Sequence, residues 1–280
     1  MSRWLVVATL VSSTAWAQAT PPGLIDLLHA RGFAMGNAFR AHGYGVEAVD
    51  GNPAALGLFK RFSAELSGAW DPANGFGFGN IGLMDSQSSA LAGGTSYTLA
   101  TLGPEENRRT VHLTTVAAAF GIADIVYLGA SMRYHLIVGG VKNTNSVTMN
   151  AGVVVRPFEF ITFGFSAHNL IDNFHPDITR YFVASVSGMF GMFSPVFDLR
   201  MDFNIPGQPR FAFQGGLEWI AGSFLPLRLG YSWDGIVGSQ YISGGIGFFS
   251  EGSGIDLAYR YEIGGSKGHM LAVTLKMQFN

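Results

Sequence analysis

The 280-residue chain contains no cysteine and little charge. The lack of cysteine excludes disulfide bonds, thiol catalysis and cysteine-based metal sites together. Charged residues make up 13% of the chain, about half of the roughly 25% that is usual in soluble domains, so much of the surface is expected to face something other than water. Beyond the N-terminus no apolar run reaches the length of about 20 residues that a helical membrane span needs. A closed β-barrel is the remaining way to satisfy backbone groups in lipid.

Regular alternation of apolar and polar residues is the strongest positive signal in the sequence. At the C-terminus one face of an extended strand is wholly apolar, and it consists of Leu271, Val273, Leu275, Met277 and Phe279. A terminal apolar ladder that ends near an aromatic is typical of the strand that closes an outer-membrane barrel. We therefore predict that Leu275, Met277 and Phe279 carry the assembly signal.

Segments with the same alternation follow one another from residue 61 onward, the clearest being Val196–Asn204, Leu227–Asp234 and Ile255–Ile263. Asn74–Met84 and Ser89–Thr101 are rich in glycine, and each could be a strand or irregular. The sequence predicts an all-β fold, a transmembrane antiparallel β-barrel of about 14 strands. Twelve strands remain the alternative if the two glycine-rich segments are not both in the wall.

The connections between predicted strands alternate in length. Short turns such as residues 192–195 alternate with longer polar loops such as residues 172–179, although every longer loop is modest and offers little external lid. Short periplasmic turns and longer outer loops are the outer-membrane pattern. This pattern places both ends of the barrel on the periplasmic side.

The N-terminus resembles a secretory signal peptide. A positive start at Met1–Arg3 precedes an apolar run at Trp4–Val11 and a small-x-small pattern at Ala15–Ala17, so cleavage is predicted after Ala17. The protein is therefore expected to be exported to the outer membrane of a Gram-negative cell. The predicted organisation is a signal peptide at 1–17, an N-terminal segment at 18–60 and the barrel at 61–280.

Charges of both signs lie on the polar faces of the predicted strands. The predicted lumen-lining residues are Arg133, His135, Asp198, Arg200, Asp202, Glu218, Arg228, Asp256, Arg260, Glu262 and Lys276. These side chains could form a charged pore or substrate site, or a ladder of ion pairs that fills a narrow lumen. Opposite signs at similar heights on neighbouring strands favour the ladder, because charges buried from water must be paired.

No set of residues indicates an enzyme. The sequence has no acidic dyad or activated nucleophile, and its seven histidines are scattered, so no catalytic residue, metal or cofactor is predicted. A net charge of -2 also gives no reason to expect nucleic acid as a partner. The partners expected are outer-membrane lipid and the barrel-assembly machinery, with proteins of an envelope complex as a further class.

Two motifs stand in the N-terminal segment. They are formed by Gly32, Met35, Gly36, Ala38 and Phe39, and by Asn52, Pro53, Ala54 and Leu56. Their order and spacing resemble the start of the long-chain fatty-acid transporter family of outer-membrane barrels, the FadL, TodX and PorV-like group. The resemblance implies a fourteen-stranded barrel whose N-terminal segment folds into the lumen as a plug or hatch. The residues alone also predict a capped helical turn at Asn52–Leu58, and both interpretations are compatible.

The resemblance implies a passive channel or transporter for small hydrophobic molecules. The short outer loops and the charged C-terminal half of the lumen depart from the greasy capture groove of the fatty-acid transporters. The alternative is a non-transporting barrel that anchors a trans-envelope secretion or gliding-motility machine. The sequence names neither a substrate nor a protein partner.

Overall fold

A closed antiparallel β-barrel makes up most of the molecule. The computed structural model describes Leu24, Leu27 and residues 29–140, 142–172, 175–204, 208–222, 224–263 and 268–279. Within these residues each strand pairs with its neighbours in sequence, and β1 pairs with β14 to close the barrel. The strands are β1 (Phe62–Asp71), β2 (Phe76–Asp85), β3 (Leu91–Leu102), β4 (Arg109–Ile122), β5 (Val126–Gly139), β6 (Thr144–Phe158), β7 (Ile161–His168), β8 (Tyr181–Gly188), β9 (Phe193–Asp202), β10 (Arg210–Ala221), β11 (Leu225–Asp234), β12 (Ser239–Ser250), β13 (Ser253–Glu262) and β14 (His269–Phe279).

The predicted fourteen-stranded barrel is confirmed, and the twelve-stranded alternative is wrong. Both glycine-rich segments are wall strands, β2 and β3. β2 is paired with β1 along its whole length and with β3 over residues 77–85. Glycine lowers strand propensity because it has no side chain to pack, but this continuous pairing on both edges overrides the local preference.

The outward face of the barrel is apolar. Large side chains are exposed along the wall, among them Trp70 at 60% and Leu229 at 69%. The apolar ladder of β14, including Leu275, Met277 and Phe279, lies on this face, while Thr274 and Lys276 point inward and are buried. An apolar surface around a closed barrel is suited to lipid. No helix in the described ranges is long and apolar enough to cross a membrane.

The strand predicted at Val196–Asn204 is displaced toward the N-terminus. β9 begins at Phe193, so the turn predicted at residues 192–195 is wrong, and residues 189–192 form it instead. Pro195 fits inside β9 because pairing with β8 ends at Ser187 and Val196, so no partner there needs its missing N–H.

Asp202 is on the same face of β9 as the inward residues Asp198 and Arg200. This residue is the last of β9 and is only half-buried at the barrel mouth. Its carboxylate accepts a hydrogen bond from the backbone N–H of Asn204 at 2.8 Å. Asp202 therefore caps the end of the strand at the mouth of the lumen.

The two ends of the barrel differ in their connections. The turn end contains the start of β1, the end of β14 and short turns such as residues 159–160 and 251–252. The loop end contains the longer connections, the longest of which covers residues 169–180. Residues 175–180 of this loop pack against the barrel: Ile178 is 4% exposed, and Asp177 pairs with Arg109 at 2.5 Å.

Residues 29–60, here called the lumenal segment, lie inside the barrel. They contain helices α1 (Ala30–Ala34) and α2 (Glu47–Gly51) and a 3₁₀ helix at Pro53–Gly57. Helix α1 is anchored to the wall at its first residue, where the backbone N–H of Ala30 donates to Thr274 Oγ1 of β14 at 2.9 Å. The predicted signal peptide, residues 1–17, and residues 18–23 lie outside the described residues.

Candidate functional site in the barrel lumen

The second N-terminal motif forms a capped turn against the wall. The Asn52 side chain accepts a hydrogen bond from Ala54 N at 3.2 Å and donates to Arg40 O at 3.1 Å. Pro53 occupies the first position of the 3₁₀ helix, where its missing N–H costs nothing. The predicted helical turn at Asn52–Leu58 is confirmed, and it also ties two parts of the lumenal segment together.

The first motif crosses the lumen. Gly32, Met35 and Phe39 are all buried, and Gly36 adopts a left-handed conformation with φ +64°, which glycine accepts without a steric cost. Gly36 N donates to Ser243 Oγ of β12 at 3.2 Å. The structure thus places the nine residues of the two motifs in the interior of the barrel, where all of them are buried.

A continuous chain of buried ion pairs, here called the ion network, joins the lumenal segment to β10, β11, β13 and β14. Arg31 contacts Glu47 at 2.6 Å and Glu218 at 3.3 Å. Arg228 contacts Glu218 at 2.5 Å and Asp256 at 2.6 Å. Lys276 then contacts Asp256 at 2.8 Å. Every charge in this chain has an opposite charge beside it, as burial requires.

Two glycines let the ion network cross β12. Gly245 lies opposite Arg228 and Gly247 lies opposite Asp256 in the strand register. A Cβ atom at Gly247 would overlap Asp256 Oδ1 and lie 3.3 Å from Arg228 Nη1. The side chains of β11 and β13 can therefore meet across the strand between them.

Further polar contacts in the lumen lie outside the ion network. Asp198 accepts from Arg40 Nη1 at 3.0 Å, Asp50 pairs with Arg133 at 3.0 Å, and Arg200 pairs with Asp234 at 2.6 Å. The remaining predicted lumen residues, His135, Arg260 and Glu262, are buried on the inward face. The Arg260 guanidinium lies over the Phe33 ring at 4.8 Å and the Tyr241 ring at 4.4 Å.

Two histidines of the lumenal segment have opposite electrostatic surroundings. Burial alone would lower the pKa of His29, but its hydrogen bond to Glu65 at 3.0 Å and that carboxylate's charge raise the pKa above 6.5. Burial, together with the nearby Arg31 guanidinium, lowers the pKa of His42 to about 3. The Glu65 carboxylate therefore favours protonation of His29, whereas His42 is neutral at physiological pH.

The side of the lumen along β2 to β5 is apolar near the loop end. The group of buried residues here called the loop-end cluster is Phe33, Phe39, Phe76, Phe78, Leu102, Val111, Leu113, Ile137 and Ile178. Its wall residues come mainly from β2 to β5, and Leu24 and Leu27 pack against it. The Phe33 and Phe78 rings are stacked with centroids 6.4 Å apart. Such a surface suits an apolar molecule far better than an ion.

A small cavity of about 30 Å³ lies between the loop-end cluster and the lumenal segment. Leu24, Leu27, Phe39 and Leu113 line its apolar side, and Arg40, Asp50 and Arg133 lie on its polar side. Among the described residues no three histidine, aspartate or glutamate side chains come together in a set that could hold a metal ion.

Several residues of the lumen were missed by sequence reasoning. Glu65 lies on the inward face of β1 between Ser63 and Ser67, so alternation alone could have identified it. Arg31, Arg40 and Glu47 precede the barrel, and no local pattern indicates that they meet β9 and β10. The loop-end cluster was missed because its apolar residues point inward, where polar side chains were expected.

The comparisons with known proteins place this architecture among solved structures. No family model matches the chain, and no curated protein matches it by sequence. The CymD monoaromatic hydrocarbon channel aligns with a TM-score of 0.69 at 13% identity, over 92% of this chain and 98% of that chain. A Pseudomonas aeruginosa FadL homologue aligns with a TM-score of 0.68 at 12% identity, over 94% and 99%. The Ralstonia pickettii toluene transporter TbuX aligns with a TM-score of 0.63 at 12% identity, over 90% and 97%.

The chain has the fold of the FadL-type transporters. The similarity is structural, because the sequence identities are low. The family resemblance predicted from the two N-terminal motifs is confirmed at this level. The barrel of this chain combines an apolar cluster on β2 to β5 near the loop end with ion pairs on β9 to β14, where the charged half of the lumen was predicted.

Proposed function

We propose that this chain is an outer-membrane barrel that lets small, predominantly hydrophobic molecules enter through its loop end. The observation that carries the proposal is the loop-end cluster, a group of buried apolar side chains between the barrel wall and the lumenal segment near the loop end. The monoaromatic hydrocarbon channel and toluene transporter that share the fold support the same substrate class. The ion network, which lies beyond the cluster toward the turn end, offers no comparable surface to an apolar molecule.

Orientation and export belong to the same proposal. A closed barrel with an apolar outer face requires lipid, and barrels of this kind have long loops outside the cell and short turns in the periplasm. The loop end therefore faces outward, and an N-terminal signal peptide would deliver the chain to the periplasm. The alternative, an anchor for an envelope machine, receives no support from the comparisons over a channel.

The test compares two buried leucines in intact cells whose outer leaflet is lipopolysaccharide. Leu113 belongs to the loop-end cluster, and Leu58 lies in a separate apolar cluster near the turn end. Leu113→Gln places an unsatisfied amide at the proposed site and should lower uptake of labelled toluene per folded barrel by about fivefold or more. Leu58→Gln introduces the same chemical change elsewhere in the interior and should leave uptake per folded barrel close to that of the wild type.

Folded barrel is counted by its heat-modifiable electrophoretic mobility, so lower abundance is not mistaken for lower transport. Uptake by wild-type cells no greater than that by cells without the barrel would reject the proposed function. Equal uptake by the Leu113→Gln variant and the wild type would instead show that the loop-end cluster is not the site.

A further inference from the structure

Three strands of the wall each carry two adjacent glycines, of which one faces outward and the other faces the lumen. The pairs are Gly93 with Gly94 on β3, Gly215 with Gly216 on β10, and Gly244 with Gly245 on β12. The first member of each pair points outward, and a Cβ atom there would meet its nearest neighbour at an ordinary 3.6–3.9 Å. A side chain could therefore be accommodated at these outward positions.

The inward member of each pair has no such room, because the lumenal segment occupies it. A Cβ atom at Gly94 would lie 2.6 Å from Val49 Cγ2, and one at Gly216 would lie 2.5 Å from Met35 O. At Gly245 the corresponding distance to Ala34 Cβ is 2.6 Å. Contacts this close require something to move, and at Gly216 the neighbour is backbone. The lumenal segment therefore occupies the space that side chains at the inward positions would fill.

The same relation extends around the barrel. Inward glycines on other strands also adjoin the lumenal segment, and they are Gly82 on β2, Gly129 on β5, Gly152 on β6, Gly164 on β7 and Gly230 on β11. A Cβ atom at Gly129 would overlap Ala54 N, and one at Gly230 would overlap Gly36 N. Strands on opposite sides of the lumen are therefore shaped to the backbone of one internal segment.

Hydrogen bonds and ion pairs also join the lumenal segment to the barrel wall. Backbone N–H groups of the lumenal segment donate to side chains of the wall: Val46 to Glu65 at 2.9 Å, and Phe39 to Asp198 at 3.2 Å. Conversely, Glu218 of the wall is paired with Arg31 of the lumenal segment. Removal of the segment would leave buried carboxylates with fewer partners and a large void behind the inward glycines, both of which are costly.

We propose that the lumenal segment is a required core on which the barrel wall closes, rather than a removable plug. The wall strands that carry inward glycines have too little inward side-chain volume to fill the lumen themselves. The lumenal segment, in turn, has its backbone donors satisfied by wall side chains. Closure of the barrel and folding of the segment are therefore one event, and this holds whether or not a molecule passes through the barrel.

The test uses the adjacent glycine pairs in the full-length chain. Gly216→Ala and Gly94→Ala should cause loss of most of the heat-modifiable barrel from outer membranes, because the added methyl meets the lumenal segment. The matched variants Gly215→Ala and Gly93→Ala should assemble like the wild type, since their methyl groups point outward into free space and alanine restricts the unfolded chain. Wild-type levels of folded barrel in Gly216→Ala and Gly94→Ala would overturn the proposal.

A compensating variant separates this effect from damage to the wall. Gly94→Ala combined with Val49→Ala removes the methyl group that the new Cβ would strike, so the folded barrel should return. Failure of this double variant to improve assembly over Gly94→Ala would count against the proposal. Trypsin cleavage distinguishes the proposal from a removable plug. If the segment were removable, the Gly216→Ala barrel would close with the segment displaced, and trypsin would cleave this heat-modifiable barrel at Arg40. The proposal requires instead that every barrel that closes protects Arg40.

Discussion

Individual buried charges join the lumenal segment to the barrel wall, and Arg31 is the clearest case. Its guanidinium contacts Glu47 and Glu218 and lies over the Tyr44 ring at 4.6 Å. Burial alone would lower the pKa of Arg31, but the carboxylates of Glu218 and Glu47 raise it well above the usual value. One residue of the lumenal segment therefore links that segment to the wall through a permanent charge.

His29 gives the lumen a pH-dependent contribution to stability. The raised pKa of His29 means that protonation favours the folded state, so its contribution is complete below the ordinary value of 6.5 and is lost as the pH rises through the raised pKa. His29→Gln should lower the free energy of unfolding at about pH 6 by about 1.5–3 kcal/mol, the range for a hydrogen bond to a charged group. The difference from the wild type should shrink toward about pH 9, as measured by thermal unfolding in detergent.

His42 supplies the matched control for that prediction. The pKa of His42 is lowered to about 3, so this residue is neutral above pH 7 in both the folded and the unfolded protein. His42→Gln should change the melting temperature by the same amount between about pH 7 and about pH 9. A pH-independent difference for His29→Gln over the same interval would contradict the protonation assigned to His29.

At the scale of one element, β11 has one face toward lipid and the other toward the ion-paired lumen. Leu229 is 69% exposed on the outside, whereas the neighbouring Arg228 is 2% exposed and paired inside. A period of two is enough to place the aliphatic side chain in lipid and the guanidinium in the ion network. The local alternation of Leu227 to Asp234 therefore predicts both environments correctly.

The two faces of β11 should respond differently to substitution. Leu229→Arg puts a charge on the lipid side and should cost about 2–4 kcal/mol near the bilayer midplane. Arg228→Leu should insert normally but lose about 3 kcal/mol of stability, at the lower end for a broken buried pair, because Glu218 and Asp256 each keep one other cation. Insertion into lipid vesicles and urea unfolding of the inserted barrel measure these effects separately. Equal insertion defects in both variants would mean that the faces have been misassigned.

Closure of the whole barrel depends on the pairing of its first and last strands. β14 pairs with β1 from Phe279 and Phe62 at the turn end to Leu271 and Trp70 near the loop end. The rings of Phe62 and Phe279 lie 6.3 Å apart on the outer face. The residues predicted to guide assembly are thus also the ones that complete the outer apolar surface at the seam.

Phe279→Ala should impair assembly by removing the aromatic end of the β14 ladder. The expected result is a smaller heat-modifiable fraction in outer membranes than for the wild type, with unfolded chain accumulating in the periplasm. Asn280→Ala is the control, since it alters the final residue without touching the apolar ladder. Comparable folded fractions for Phe279→Ala and the wild type would show that the assembly signal lies elsewhere.

The amino-acid sequence by itself determined the kind of wall this protein builds. Low charge, absence of long apolar runs and strict alternation predict a transmembrane β-barrel. The alternation within each strand shows which side chains face lipid and which face the lumen. The bounds of β9 were less predictable, since Pro195 is accepted only where the neighbouring strand has ended. The two N-terminal motifs further indicated the family resemblance.

Only the tertiary structure decided which side chains meet one another inside the lumen. The pairing of Arg31 with Glu218 joins residues that are 187 positions apart in the chain, and no local period encodes such a contact. The loop-end cluster likewise forms only when closure brings Phe33 of the lumenal segment against Phe78 of the wall. Inward glycines lower strand propensity when they are considered one at a time, but in the closed barrel they leave the space that the lumenal segment occupies. A local pattern specifies which way a side chain points, whereas the folded chain specifies what it meets.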